Sequence, residues 1–219
     1  MSDFLTRINR TRNNSGKQST INLKKGQRID LRKRDNSILT SFCVGANWGA
    51  IKTTGFLGNI KITPVDLDLS AIVFDSYNRP IDIIYFGNLR GQGIVHYGDD
   101  LVGDTDGDDG LDNEIININL NQLPIHAEQV VFVLNSYNRQ DFSIIPFASI
   151  RLYEGTSTKV EKVFSTYNIS SDKKFSGHIS MVLGKLSRSN NHWNFKAIGE
   201  PTIDEKLADT VTSVINHYL

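Results

Sequence analysis

The hydrophobic positions of this chain fall into short runs, alternating or fully apolar, with turn residues between them, a pattern that reads as strand after strand. Strands are predicted over residues 38–46, 67–74, 81–86, 115–120, 130–135, 149–153, 159–167, 178–187 and 193–198. Ahead of these, residues 21–23 and 28–31 alternate around Lys24-Lys25-Gly26-Gln27, which suits a hairpin turn. Residues 53–58 read as a loop. Short spacing without intervening helical patterns predicts an all-β fold, an antiparallel β-sandwich, and not alternating β and α units.

The periodicity changes at the C-terminus. Thr202-Ile203-Asp204-Glu205 has capping-box spacing, with the Thr202 hydroxyl expected to accept from the Glu205 amide and the Glu205 carboxylate reaching back. Ile203, Leu207, Val211, Val214, Ile215 and Tyr218 then share one face. A C-terminal α-helix over about 202–218 is expected, docked on the sandwich or offered to a partner. One internal echo stands out: Ile72-Val73-Phe74-Asp75-Ser76-Tyr77-Asn78-Arg79 returns as Phe132-Val133-Leu134-Asn135-Ser136-Tyr137-Asn138-Arg139. Two equivalent hairpins, one in each sheet, would account for it, as would chance in a turn rich in Asn.

Composition adds a charge asymmetry. The 219 residues carry 24 Lys and Arg against 24 Asp and Glu. Residues 1–34 hold ten basic residues and two Asp, whereas residues 91–138 hold nine acids and no Lys or Arg. Residues 2–12 are basic and amphipathic around Phe4, Leu5 and Ile8, and residues 13–20 have linker composition. The expected organisation is a basic flexible arm over 1–20 and one domain over 21–219. The single Cys43 sits in an apolar run, so no disulfide framework forms within one chain. No apolar leader segment and no membrane-length run is visible, and a cytoplasmic protein is expected.

The acids concentrate between Gly98 and Glu114, where eight carboxylates (Asp99, Asp100, Asp104, Asp106, Asp108, Asp109, Asp112 and Glu114) stand with no base nearer than Arg90 or Arg139. Like charges at this density repel, so a folded loop calls for a cation among them. Alternating Asp104, Asp106 and Asp108, interleaved with glycines, suit calcium, which takes six to eight oxygen ligands in a flexible geometry. The EF-hand template does not fit, because Asp109 stands where glycine belongs and Ile115 where glutamate belongs. Magnesium prefers waters and phosphates to an all-protein cage, and no Cys/His cluster suits zinc. Upstream, Asp66, Asp68 and Ser70 alternate with Leu67, Leu69 and Ala71 and share one strand face. They either face solvent or join the acidic loop around an ion, and spacing leaves both open.

Catalytic signatures are absent. His96, His126, His178, His192 and His217 are scattered, and there is no nucleophile elbow, P-loop or dinucleotide fingerprint. A non-enzymatic protein is expected.

With these residues laid out, the chain resembles the TerD family of tellurite-resistance and stress-response proteins. The resemblance rests on the Asp66-Leu67-Asp68 strand and on the loop from Gly98 through Asp109 to Glu114-Ile115. Val44-Gly45-Ala46-Asn47-Trp48, Ala148-Ser149-Ile150-Arg151 and Trp193-Asn194-Phe195-Lys196-Ala197-Ile198-Gly199 are further landmarks, and the match spans roughly residues 21–199. The resemblance implies a β-sandwich that binds one or two calcium ions. Ligand roles carry over to Asp66, Asp68, Asp99, Asp104, Asp106, Asp108, Asp109 and Glu114. Asp100 stands where the family often has Asn. The inserted Gly110-Leu111-Asp112 leaves Asp112 and Glu114 as alternatives for the family glutamate. A calcium-binding stress-response interaction module is expected, with other stress-response proteins as partners, possible action at the membrane surface and no nucleic acid. A calcium-dependent membrane or ligand binder is the alternative, and the oligomeric state is open.

Overall fold

The computed structural model describes residues 28, 29, 31, 37–170, 172–189 and 192–219. The basic arm expected over 1–20 and the strand expected at 21–23 lie outside the described residues. In chain order the strands are β1 (Arg28–Ile29), β2 (Ser41–Trp48), β3 (Ile51–Thr54), β4 (Ile60–Thr63), β5 (Leu67–Phe74), β6 (Pro80–Ile84), β7 (Arg90–Gly91), β8 (Ile94–His96), β9 (Glu114–Asn119), β10 (Gln129–Ser136), β11 (Ala148–Thr156), β12 (Lys159–Asn168), β13 (Ser180–Ser189) and β14 (His192–Thr202), followed by helix α1 (Leu207–His217).

Two six-stranded sheets form the sandwich, ordered β1-β14-β13-β10-β5-β6 and β12-β11-β2-β9-β8-β7. Every ladder between these strands is antiparallel. The expected fold class is therefore the observed one. Alternation along the strands sorts the side chains. Leu67, Leu69, Ala71 and Val73 of β5 meet Phe42, Val44 and Ala46 of β2 and Ile116 and Ile118 of β9 in one core between the sheets. Ile72 and Phe74 of β5, Val131 and Val133 of β10 and Val182 of β13 point the other way, into a second cluster that Val214, Val211 and Leu207 of α1 cover. Burial on both faces explains why Ala71–Phe74 of β5 and Val130–Leu134 of β10 are apolar without interruption.

The helix begins later than its capping signature suggests. Thr202 is the last residue of β14 and pairs with Ser180 of β13, so its extended backbone is used in the ladder and its hydroxyl is buried without a hydrogen-bond partner. Glu205 turns to Arg139 instead, accepting from both guanidinium nitrogens at 2.9 and 2.6 Å. The capping box does not form; α1 starts after Lys206, with no side-chain cap. Ile203 is exposed and Ile215 partly so, but Val214 is fully buried, so the remaining stripe docks as expected. Beneath it, the Asn135 amide donates to Ser180 Oγ at 2.8 Å and Thr210 Oγ1 at 2.9 Å.

The echoed segments are neighbours. β5 and β10 pair directly in one sheet, Leu69 opposite Leu134, and not in two sheets. Their turns also differ: the left-handed residue is Asn78 (φ 59°) in the first and Arg139 (φ 61°) in the second. Of the segment read as a loop at 53–58, Thr53 and Thr54 end β3 and the rest lies in the tip of the β3–β4 hairpin, which pairs with neither sheet. The short β7–β8 ribbon at the edge of the second sheet is a further addition to the expected strands.

Candidate metal centre

β5 enters the sandwich from the acidic end. Asp66 and Asp68 share one strand face there, and the loop before β9 brings Asp99 to them: one carboxylate oxygen from each of Asp66, Asp68 and Asp99 lies within 4.8 Å of the others. Asp66 and Asp68 are buried and Asp99 is exposed. Burial, with the Asp99 and Asp100 charges adding to it, pushes the Asp66 carboxyl up to about 6. Burial and the neighbouring Asp66, Glu114 and Asp99 carboxylates push Asp68 up to about 8. Asp66 Oδ1 is buried with no hydrogen-bond donor. Three converging oxygens, two of them desolvated and mutually repelling, form a donor set suited to a hard cation with an open outer side.

Glu114 braces this cluster from the opposite sheet. It is the first residue of β9, and its side chain runs between the sheets, where Oε2 accepts from Leu69 N of β5 at 2.8 Å. Oε1 accepts from Asp100 N at 3.4 Å. His96 completes the brace. Its Nδ1 accepts from Gly98 N at 3.2 Å, which leaves the ring hydrogen on Nε2, shared between Leu69 O at 3.1 Å and Glu114 Oε2 at 3.3 Å. The Glu114 carboxyl is raised by burial, with His96 opposing. Glu114 and His96 together take the backbone groups of Leu69, in a stretch of β5 that β6 does not reach.

The Asp-rich loop is held mostly by neutral donors. Asn113 Nδ2 donates to Asp100 Oδ2 and Asp104 Oδ1, each at 3.2 Å, while its Oδ1 accepts from Trp48 N at 2.8 Å. Asn47 Nδ2 donates to Asp108 Oδ1 at 2.9 Å. Asp100 accepts from the amides of Val102 and Gly103, Asp104 from that of Asp109, Asp108 from that of Gly110 and Asp109 from that of Leu111. Burial raises the Asp104 carboxyl, against the hydrogen bonds of Asp109 and Asn113. The Asp106 side chain is fully exposed, with Lys52 Nζ 3.9 Å away. A φ of 99° at Gly107 gives the loop its turn beside Asp106. Asp104, Asp106, Asp108 and Asp109 share the loop with Asp99, but among the described residues only Asp66, Asp68 and Asp99 converge on one point.

Asp112 belongs elsewhere. Its carboxylate is buried against the outer side of the second sheet, with Oδ1 2.7 Å from Arg151 Nε. A Cβ added to Gly45 would overlap it. Burial raises its pKa, and Arg151 opposes the shift. Of the two alternatives for the acid that follows the loop, Glu114 reaches the cluster strand and Asp112 reaches Arg151. Sequence reasoning passed over His96, Asn113 and Asn47. Only His96 had a usable signal: Ile94, Val95 and His96 alternate directly before the acidic loop, which places His96 on the same face as Ile94.

An antiparallel sandwich with a cluster of three carboxylates at one end, two buried and the third supplied by an Asp-rich loop, defines an acidic-site β-sandwich. The comparisons narrow this to a family. Residues 19–213 match the TerD domain. The chain is 33% identical over 203 residues to tellurium resistance protein TerZ of Serratia marcescens, covering 89% of this chain and 99% of that protein. It is 32% identical over 207 residues to stress response protein SCP2 of Bacillus subtilis (strain 168), covering 89% and 99%. In structure it resembles a homologue of telluride resistance protein (TerD) from Streptomyces coelicolor A3(2), with a TM-score of 0.61 at 14% identity, over 77% of this chain and 94% of that one. The chain belongs to the TerD domain family, whose named relatives are tellurium-resistance and stress-response proteins.

Proposed function

We propose that this protein binds calcium through Asp66, Asp68 and Asp99, with the neighbouring loop carboxylates, and acts without catalysis as an interaction module in a stress response of the tellurium-resistance type. The observation that carries this reading is the convergence of three carboxylates within 4.8 Å, two of them buried. Buried like charges are expensive to keep together in ionised form unless a cation joins them. Calcium suits the set better than magnesium because the ligands are protein oxygens on a turning loop. Binding to the folded chain alone would stabilise it by mass action. Partner proteins of the same stress response and a cytoplasmic setting complete the reading.

Calorimetric titration of calcium into metal-stripped protein tests it, with thermal melts alongside and an Asp66→Asn/Asp68→Asn variant as control. Saturable binding, a raised melting temperature and loss of both in the variant are expected. No heat and no thermal shift would rule the calcium reading out.

One observation favours a second reading, a calcium-dependent ligand binder. Asp68 also lines a cavity of about 270 Å³ beside the start of α1, walled by Tyr85, Phe86, Tyr137 and Lys206. A ligand seated there would reach an ion held by Asp68.

A further inference from the structure

The β3–β4 hairpin stands apart from both sheets, and its root is tied to the acidic loop on both sides. Ala50 N, just before β3, donates to Asp104 O at 2.9 Å, and Val65 N, just after β4, donates to Val102 O at 3.0 Å. Ile51 at the root packs on the core. From there the ribbon runs out to a closed turn, in which Gly55 N donates to Asn59 O at 2.8 Å and Gly58 N to Gly55 O at 3.0 Å. Gly58 takes a φ of 78°. This turn presents Phe56 and Leu57 to water, 104% and 89% exposed.

Behind the tip the ribbon is apolar and basic. The pairs Thr54–Ile60 and Lys52–Ile62 share one face, and the pair Thr53–Lys61 lies on the other. Ile60 and Ile62 are exposed, and so are both lysines, one on each face. An apolar point followed by a basic collar is the order of layers in an anionic bilayer, met from outside: headgroups at the collar, acyl chains at the tip. A protein groove would meet a flat or concave face. Here the feature is convex and basic on both sides, and that favours a lipid surface. The acidic loop at the root opposes approach to the same headgroups, and Asp106 lies 3.9 Å from Lys52. A cation held by Asp66, Asp68 and Asp99 lowers the negative charge at that end and weakens the repulsion.

We propose that the 51–63 hairpin is a docking finger for anionic bilayers, inserting Phe56 and Leu57 at the acyl boundary, and that cation binding at the Asp66–Asp68–Asp99 site admits it to the surface. The second half rests on the calcium reading; the first does not.

The test is co-sedimentation of the full chain with vesicles of phosphatidylcholine alone and of equimolar phosphatidylcholine and phosphatidylglycerol, with calcium or with chelator. A Phe56→Ser/Leu57→Ser variant, a Lys61→Glu variant and calcium calorimetry without lipid run alongside. Expected is binding to the anionic vesicles in calcium only, weakened at least about tenfold in the double variant because two apolar side chains no longer insert. Lys61→Glu weakens it too, and both variants keep the wild-type melting temperature and calcium heats. Calcium heats with no vesicle binding, or with binding that both variants retain, overturn the finger and leave the calcium site standing. Vesicle binding that needs Phe56 and Leu57 but ignores chelator, with no calcium heats, supports the finger and overturns its gating. Binding to neutral vesicles as strong as to anionic ones overturns the role given to the lysines.

Discussion

Glu114 and Leu69 sit on opposite sheets, yet the Glu114 carboxylate accepts the Leu69 amide at 2.8 Å. The bond crosses the sandwich at the point where β5 carries Asp68, so one side chain joins the sheets and sets the cluster strand. Replacing Glu114 by Ala leaves the buried Leu69 amide without its acceptor, while the His96 Nε2 hydrogen keeps Leu69 O. Leaving such a buried donor unsatisfied costs about 1–3 kcal/mol. Glu114→Ala is expected to lower stability in urea unfolding by about that amount or more, and to weaken calcium binding in calorimetry. Glu114→Gln keeps an acceptor oxygen and should lose less. Equal stability of wild type and Glu114→Ala would show that the crossing bond contributes nothing.

The raised carboxyls give a pH signature with a definite sign. Asp66 and Asp68 titrate at about 6 and about 8 in the fold, against 3.8 for the ordinary side chain. Between these values the folded state holds more protons than the unfolded one, so cation-free stability falls as pH rises. Asp75, Asp141 and Glu205 are shifted downward, toward stronger acidity, and stay ionised above about pH 5, so they add no slope there. Melting temperature in chelator should therefore fall from about pH 5 to about pH 8, and Asp68→Asn should flatten the fall. Calcium must displace the protons, so its affinity should rise over the same window, with proton release that changes the binding heat from one buffer to another. A cation-free melting temperature that rises with pH would contradict the assignment.

How far the sequence discloses this site depends on the residue. Asp66 and Asp68 were legible because strand alternation puts them on one face, whatever the register. Glu114 and Asp112 were not separable, since both flank the start of β9 and only the loop geometry sends one between the sheets and the other outside. Asn113 and Asn47 gave no sign of their roles, because a neutral amide in a polar loop looks like any turn former. The helix start was misplaced because a capping box is a local signal, and the β13–β14 ladder, a long-range one, claims Thr202 first. The β3–β4 hairpin was partly hidden by threonines and by a five-residue tip whose apolar residues face water.

Asp112 tests the separation between an acid that holds a cation and one that holds the fold. Its carboxylate lies 2.7 Å from Arg151 Nε and away from the cluster. Asp112→Ala should leave calcium affinity within about twofold of wild type, while Asp99→Asn, in the cluster, weakens it by an order of magnitude or more. A large loss of affinity in Asp112→Ala would return Asp112 to the ligand set.

Gly45 reports the same packing from the other side. A Cβ there would overlap the Asp112 carboxylate, whose side chain is 2% exposed and lies 2.7 Å from Arg151 Nε. Gly45 lies within β2, opposite Ile115 of β9 and Arg151 of β11, and its backbone is not left-handed. Any effect of Gly45→Ala is therefore steric. The expected cost is about 1–3 kcal/mol, as for other overpacked sites. In Asp112→Ala the obstructing carboxylate is gone, so Gly45→Ala should cost less in that background, and the two changes should couple in a double-mutant cycle read by urea unfolding. Additive losses would mean that Gly45 answers to the strand geometry and not to the Asp112–Arg151 pair.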